Sequence, residues 1–216
     1  MINFGDKFPE TYFPSSSTMK KDYLSKADFS GAIAEGRAKI NSIIASAVIS
    51  DLAVDWCLNC FAKAPDEFFY MPTSSTGKYH GGPKDLCNCV GGNIVHTEQV
   101  LAMATKVLNR YESALGVFYD HLSEALRVAC ILHDICKYTG DSVWTSKTHG
   151  EDGANLIRSV ESDYDFKGLV AEAVEGHMYY WRFLTVFDSL QAFGAGSLNG
   201  LFLSFMLSEC DYYSIK

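Results

Sequence analysis

Five side chains of metal-binding type fall where a helical pattern asks for apolar residues, His96, His133, Asp134, His177 and Asp211, and a sixth, His149, starts a further helix. In the stretch ACILHDICKYTG, small and branched residues lead into His133 and Asp134 side by side, with Lys137 one turn later. His96 shares a face with Val100, Met103, Ala104 and Val107, at offsets 4, 7, 8 and 11. His177 shares one with Val170, Ala173, Val174, Met178 and Trp181, and Leu203 and Leu207 lead in steps of four to Asp211. A lone histidine on an apolar face is ordinarily a hydrogen-bonded core residue. Burying two carboxylates without a partner is costly, however, and arginines are few, so a shared cation is the natural counter-charge. Four imidazoles with two carboxylates suit Mn, Fe, Co, Ni or Zn and suit Ca poorly. Six donors exceed what one open catalytic ion needs, so two divalent transition metals joined by a bridging carboxylate are expected, with Asp134 as the bridge and Mg admissible at the second site.

Helices must carry these groups. Periodicity of the 3.6 type predicts helices over 94–111, 122–138, 149–160, 167–182 and 198–214, with little alternation of period two. Gly140 is read as the stop of the helix bearing His133. Thr148 and Glu151 read as a capping box before ANLI. Upstream, Ile40 to Ala62 reads as one long apolar helix, and 63–93 as a loop rich in Gly, Pro, Ser and Asn. A loop of that length is more often functional than idle. Residues 1–39 read as an N-terminal extension packed on the domain, which is assigned to 40–216. The expected class is all-α, a helical bundle with the metal site between helices.

The 216 residues suffice for one well-packed domain. Eighteen basic against 26 acidic residues give a net charge of −8, which argues against a broad phosphate-binding surface and so against a long duplex as partner. A nucleotide or a short single-stranded nucleic acid held through metal ions fits better. No run of about 18 apolar residues is present, so no membrane span is expected. The start MINFGDKFPE lacks the pattern of a secretory signal, and seven irregularly spaced cysteines suggest thiols kept reduced in a cytoplasmic setting. An oligomer is compatible with all of this.

The order His96, His133-Asp134, His149, His177, Asp211 resembles the HD superfamily of metal-dependent phosphohydrolases. ILHDICK is similar to the superfamily's usual L-L-H-D-I-G-K, with Cys136 where Gly is common. GGNIVHT, at 91–97, resembles the G-G-L-L-E-H-T of YhaM-type 3′–5′ exoribonucleases, and THGEDGANLI and FMLSECDYYS fall where their later motifs fall. The likeness covers roughly 40–216. It implies an HD-domain bundle in which His96, His133, Asp134 and Asp211 hold one metal and Asp134, His149 and His177 a second. It also implies that Lys137 contacts a substrate phosphate. Those exoribonucleases carry an N-terminal OB-type domain, and residues 1–40 offer nothing that can form one.

The remaining chemistry-bearing residues are less specific. His80, next to Tyr79, approaches the G-G motif, and Tyr179, Tyr180 and Arg182 are candidates to wall a nucleotide pocket by stacking and phosphate contact. Lys84 and Lys147 are further phosphate candidates. CLNC at 57–60 and CNC at 87–89 match neither a zinc ribbon nor a finger, and read as core thiols. His121 reads as a surface residue. The function expected is hydrolysis of a nucleotide or short oligonucleotide phosphate ester by a metal-activated water. The alternatives are a mixed-valence di-iron oxygenase on the same ligands, or a metal-binding sensor module.

Overall fold

Helices α1 (Ser30–Ala47) and α2 (Asp51–Ala62) meet at a corner, where sequence periodicity predicts one continuous helix. The computed structural model describes residues 21, 24–25, 27–74, 86–116, 119–139, 143–178 and 198–214. The corner has a clear cause. Ser50 takes an extended conformation, its hydroxyl accepts from Ala53 N, and the carboxylate of Glu124 accepts from the backbone N–H of both Ile49 and Ser50. A side-chain cap plus a carboxylate satisfies the donors that a helix start exposes, so the break is stable. α1 begins ten residues before the predicted Ile40. Its early buried positions are Ala32 and Gly36, which carry little hydrophobic signal.

The predicted loop over 63–93 contains α3 (Glu67–Tyr70) and a 3₁₀ turn (Leu86–Asn88). Then follow α4 (Gly92–Leu115), α5 (Tyr119–Leu132), α6 (His149–Arg158), α7 (Lys167–Gly176) and α8 (Leu198–Ser214). Among the described residues there is no strand, and the all-α class holds. His80, Lys84, Gly140, Tyr179, Tyr180, Trp181 and Arg182, all singled out above, lie outside the described residues.

α5 is the hub. From Ala125 to Leu132 nearly every side chain is buried, including Leu126, Val128, Ile131 and Leu132. A helix apolar all round belongs in a core, and α5 packs against α2, α4, α7 and α8. α8 lies against α4 and α7, and α6 lies along α7. Trp56, Phe68, Phe69, Ile40 and Ile44 extend this core toward the N-terminal helices, each removing large apolar surface worth about 2 kcal/mol or more. No described helix is long and apolar enough to cross a membrane. All seven cysteines are buried free thiols, and Cys57 and Cys60 lie inside the hydrophobic core.

Candidate metal centre

Each candidate ligand is held by a local device. At the start of α4, Gly91 sits at φ 76°, and a Cβ on Gly92 would come within 2.1 Å of the Cys87 carbonyl oxygen. The glycine pair therefore lets the 3₁₀ turn press against the first turn of α4. Thr73 fastens that contact, donating its N–H to Cys87 O and its hydroxyl to Gly92 O. His96 follows on α4, fully buried.

α5 ends at Leu132, earlier than predicted, so His133 and Asp134 occupy the turn that follows the helix. Ile135 N donates to Leu132 O and Lys137 N to Asp134 O, which bends the chain there. Liberation from the helix lets adjacent side chains point at one centre, which neighbouring helical positions do not. His149 opens α6. Its helix carries no capping box: the Thr148 hydroxyl donates to Asp152 Oδ2 and makes no bond to a helix N–H. At Gly150 an added Cβ would lie 3.0 Å from Val174 O and 3.1 Å from Glu175 O, so α6 approaches the last turn of α7 closely. That brings His149 beside His177, which follows the end of α7. Asp211 lies near the end of α8, and Ser208, one turn earlier, places its hydroxyl 2.8 Å from His177 O.

The side chains converge on Asp134, which is fully buried. Its Oδ2 lies 3.2 Å from His133 Nε2 and 3.5 Å from His96 Nε2, and His96 Nε2 is 3.1 Å from Asp211 Oδ1. Its Oδ1 lies 3.2 Å from His149 Nε2 and 3.9 Å from His177 Nε2. Two clusters result, His96 with His133 and Asp211, and Asp134 with His149 and His177, each with its ligand atoms within 4.8 Å of one another.

Tautomers are fixed from outside. His133 Nδ1 lies 2.8 Å from Cys130 O, His149 Nδ1 2.7 Å from Ser146 O, and His177 Nδ1 2.5 Å from Val174 O. A carbonyl only accepts, so each Nδ1 carries a proton, which leaves Nε2 as the ring nitrogen that can offer a lone pair inward to a metal. This is the outer arrangement that metal-ligating histidines use. His149 Nε2, His177 Nε2 and Asp134 Oδ1 are buried without hydrogen-bond partners. Lone pairs facing a carboxylate oxygen repel unless a cation lies among them, so the donors fit a divalent metal.

Electrostatics agree. Burial raises the Asp134 carboxyl, but the charges of His133 and Lys137 beside it hold it well below the usual range. Asp211 is likewise held low, burial being outweighed by His96. Burial, reinforced by His149 and His133, pushes His177 down to about 3, so it stays neutral and able to ligate. His96 is lowered too, mainly by burial. His133 alone is raised: burial opposes its charge, and Asp134 overrides that. The pocket thus favours a positive charge between His133 and Asp134, whether proton or metal.

Residues 93–192 match the HD domain. Over this stretch the chain is similar to the HD domain, and the two clusters within reach of it could each hold a metal ion. No curated protein and no solved structure matches the chain significantly. The HD match spans five of the six candidate ligands; Asp211 lies beyond its end and joins the centre through α8.

Lys137 stands differently from its predicted setting. It is not on a helix, and its Nζ is 2.5 Å from Asp134 Oδ2, so the anion it meets is a carboxylate of the chain itself. Sequence reasoning also passed over Ser146, whose carbonyl orients His149 and whose N–H donates to Lys137 O. Its backbone makes these contacts, which leaves no signal in residue type. His121 is exposed at the start of α5, away from the centre, as expected for a surface residue.

Proposed function

We propose that this protein is a binuclear metal-dependent phosphohydrolase or phosphodiesterase acting on a nucleotide or a short single-stranded oligonucleotide. One observation carries the reading: Asp134 offers Oδ2 to His96 and His133 and Oδ1 to His149 and His177, the geometry of a bridging carboxylate. His96, His133, Asp211 and Asp134 Oδ2 would hold one ion, and His149, His177 and Asp134 Oδ1 the other. When bound, two such ions activate a water for attack on phosphorus and neutralise phosphoryl oxygens.

The chain's own residues supply the rest. The Cys130, Ser146 and Val174 carbonyls keep three imidazoles in the ligating tautomer and orientation. Lys137, beside Asp134 and mostly buried, is positioned to offset charge on a phosphate that enters next to that carboxylate. The motif likeness to YhaM-type exoribonucleases supports a nucleotide phosphodiester, and the net charge of −8 supports a short substrate rather than a duplex.

The test is elemental analysis of the purified protein, then a nucleotide and oligonucleotide panel with Mn supplied. Two metals per chain and oxygen-independent release of a phosphate ester product are expected. Activity that vanishes on removing oxygen would favour the di-iron oxygenase reading, and metal binding without any turnover would favour the sensor module.

A further inference from the structure

Beside the metal centre one buried polar side chain is unused by the chemistry above. Asn93 is fully buried, and neither its Oδ1 nor its Nδ2 meets a hydrogen-bond partner. An amide has two donor hydrogens and two acceptor lone pairs, so leaving all of them unpaired is among the costlier arrangements a core can hold. Its usual task is absent as well. Asparagine near a helix start ordinarily caps it, but here Gly91 is the cap, Asn93 N donates to Met71 O, and Ile94 N and Val95 N both donate to Gly91 O. The amide is not needed by the helix.

Its place is informative. Asn93 precedes His96 by three residues on α4, so the two share a face one turn apart. Segment 71–73 is bonded both to the first turn of α4 and to the chain that follows α5. Met71 O accepts from Asn93 N, and Pro72 O accepts from the Tyr138 hydroxyl at 2.7 Å, next to Lys137. Segment 71–73 thus ties the first turn of α4, with Asn93, to the chain that carries Lys137, and His96 on that helix lies 3.5 Å from Asp134 Oδ2, the same oxygen that Lys137 meets.

We propose that Asn93 is a substrate-binding residue whose Nδ2–H donates to a phosphoryl oxygen, with Oδ1 accepting from a water or sugar hydroxyl of the same substrate. This rests on the phosphohydrolase reading. A neutral donor one turn from a metal ligand suits an anion with several oxygens, because it adds a directed bond without adding charge near two metals.

Asn93→Leu is the deciding variant, since leucine is close in size and leaves nothing polar to satisfy. The readouts are metal content, thermal midpoint, inhibition by inorganic phosphate, and kcat/KM on bis(p-nitrophenyl) phosphate. Both metals should remain and the midpoint should hold or rise, while the phosphate inhibition constant rises and kcat/KM falls, each about tenfold to a hundredfold. Wild-type phosphate inhibition and turnover in this variant, with metals retained, would overturn the assignment and leave the amide as the holder of a buried water. Should the leucine variant not fold, Asn93→Ala, which adds no bulk, is measured in the same way and decides the same question. A wild-type protein that binds metal but neither hydrolyses the diester nor responds to phosphate overturns the phosphohydrolase reading and this one with it. A working wild type with indifferent variants overturns only this one.

Discussion

Asp134 sits where four imidazole nitrogens converge, and its two oxygens divide them into pairs. A carboxylate shared in this way makes the two metal positions interdependent. Asp134→Ala should therefore strip both metals and all hydrolysis together, measured by elemental analysis and turnover; full occupancy in that variant would rule out the bridge. His149→Ala and His177→Ala should weaken one position, and His96→Ala the other. Lys137 poses a separate question, because its ammonium lies 2.5 Å from an oxygen that a metal would also claim. A cation competing with metals for Asp134 cannot be there to help bind them. Lys137→Met should hold both metals as tightly as wild type or more so, while kcat/KM on bis(p-nitrophenyl) phosphate drops by on the order of ten- to a thousandfold. If metal is lost instead, Lys137 organises Asp134 and the phosphate contact must be sought elsewhere.

Helices act on the centre through how closely they approach one another. α6 delivers His149 only because its second residue is Gly150, pressed against the final carbonyls of α7. Gly150→Ala needs a few tenths of an ångström that backbone oxygens yield reluctantly, so α6 must shift and carry His149 from His177. Weaker binding of one metal, the other being unaffected, should appear in a metal titration, and equal affinities at both positions in variant and wild type would show that the contact has slack. The corner between α1 and α2 makes a contrasting prediction. Glu124 accepts from Ile49 and Ser50 far from the centre, so Glu124→Ala should cost about 1–3 kcal/mol in denaturant unfolding and leave metal content unchanged.

For the molecule as a whole, ligands from α4, α6 and α8 and from the chain just after α5 and α7 make bound metal a clamp on the bundle. A metal that binds only the folded chain raises its stability by mass action, so chelation should lower the thermal midpoint of wild type and leave that of Asp134→Ala unmoved. The sign with pH follows from the ligands: neutral imidazoles bind metal and imidazoliums do not. Metal affinity should thus be high above the ordinary histidine range near about 6.5 and fall as pH drops through it, most for the cluster containing His133, whose protonation is favoured by Asp134. A titration of metal release against pH checks this, and release on raising pH would contradict it.

The helical class and the six candidate ligands were legible because both depend on local pattern: apolar residues at helical spacing, and polar ones that interrupt them. His96, His133, Asp134, His177 and Asp211 were visible for that reason, and His149 as the residue that opens a helix. The α1–α2 break was not, since Ser50 becomes a cap only once Glu124, distant in sequence, supplies acceptors. Nor was the end of α5 at Leu132, where ILHDICK continues a good helical pattern while the ligand geometry requires a turn. Residue type showed that Asp134 could bridge; which oxygen faces which histidine depends on how closely α4, α6, α7 and α8 pack around the end of α5. The unsatisfied amide of Asn93 likewise exists only in three dimensions, because burial and the absence of a partner are properties of neighbours that the chain brings together by folding.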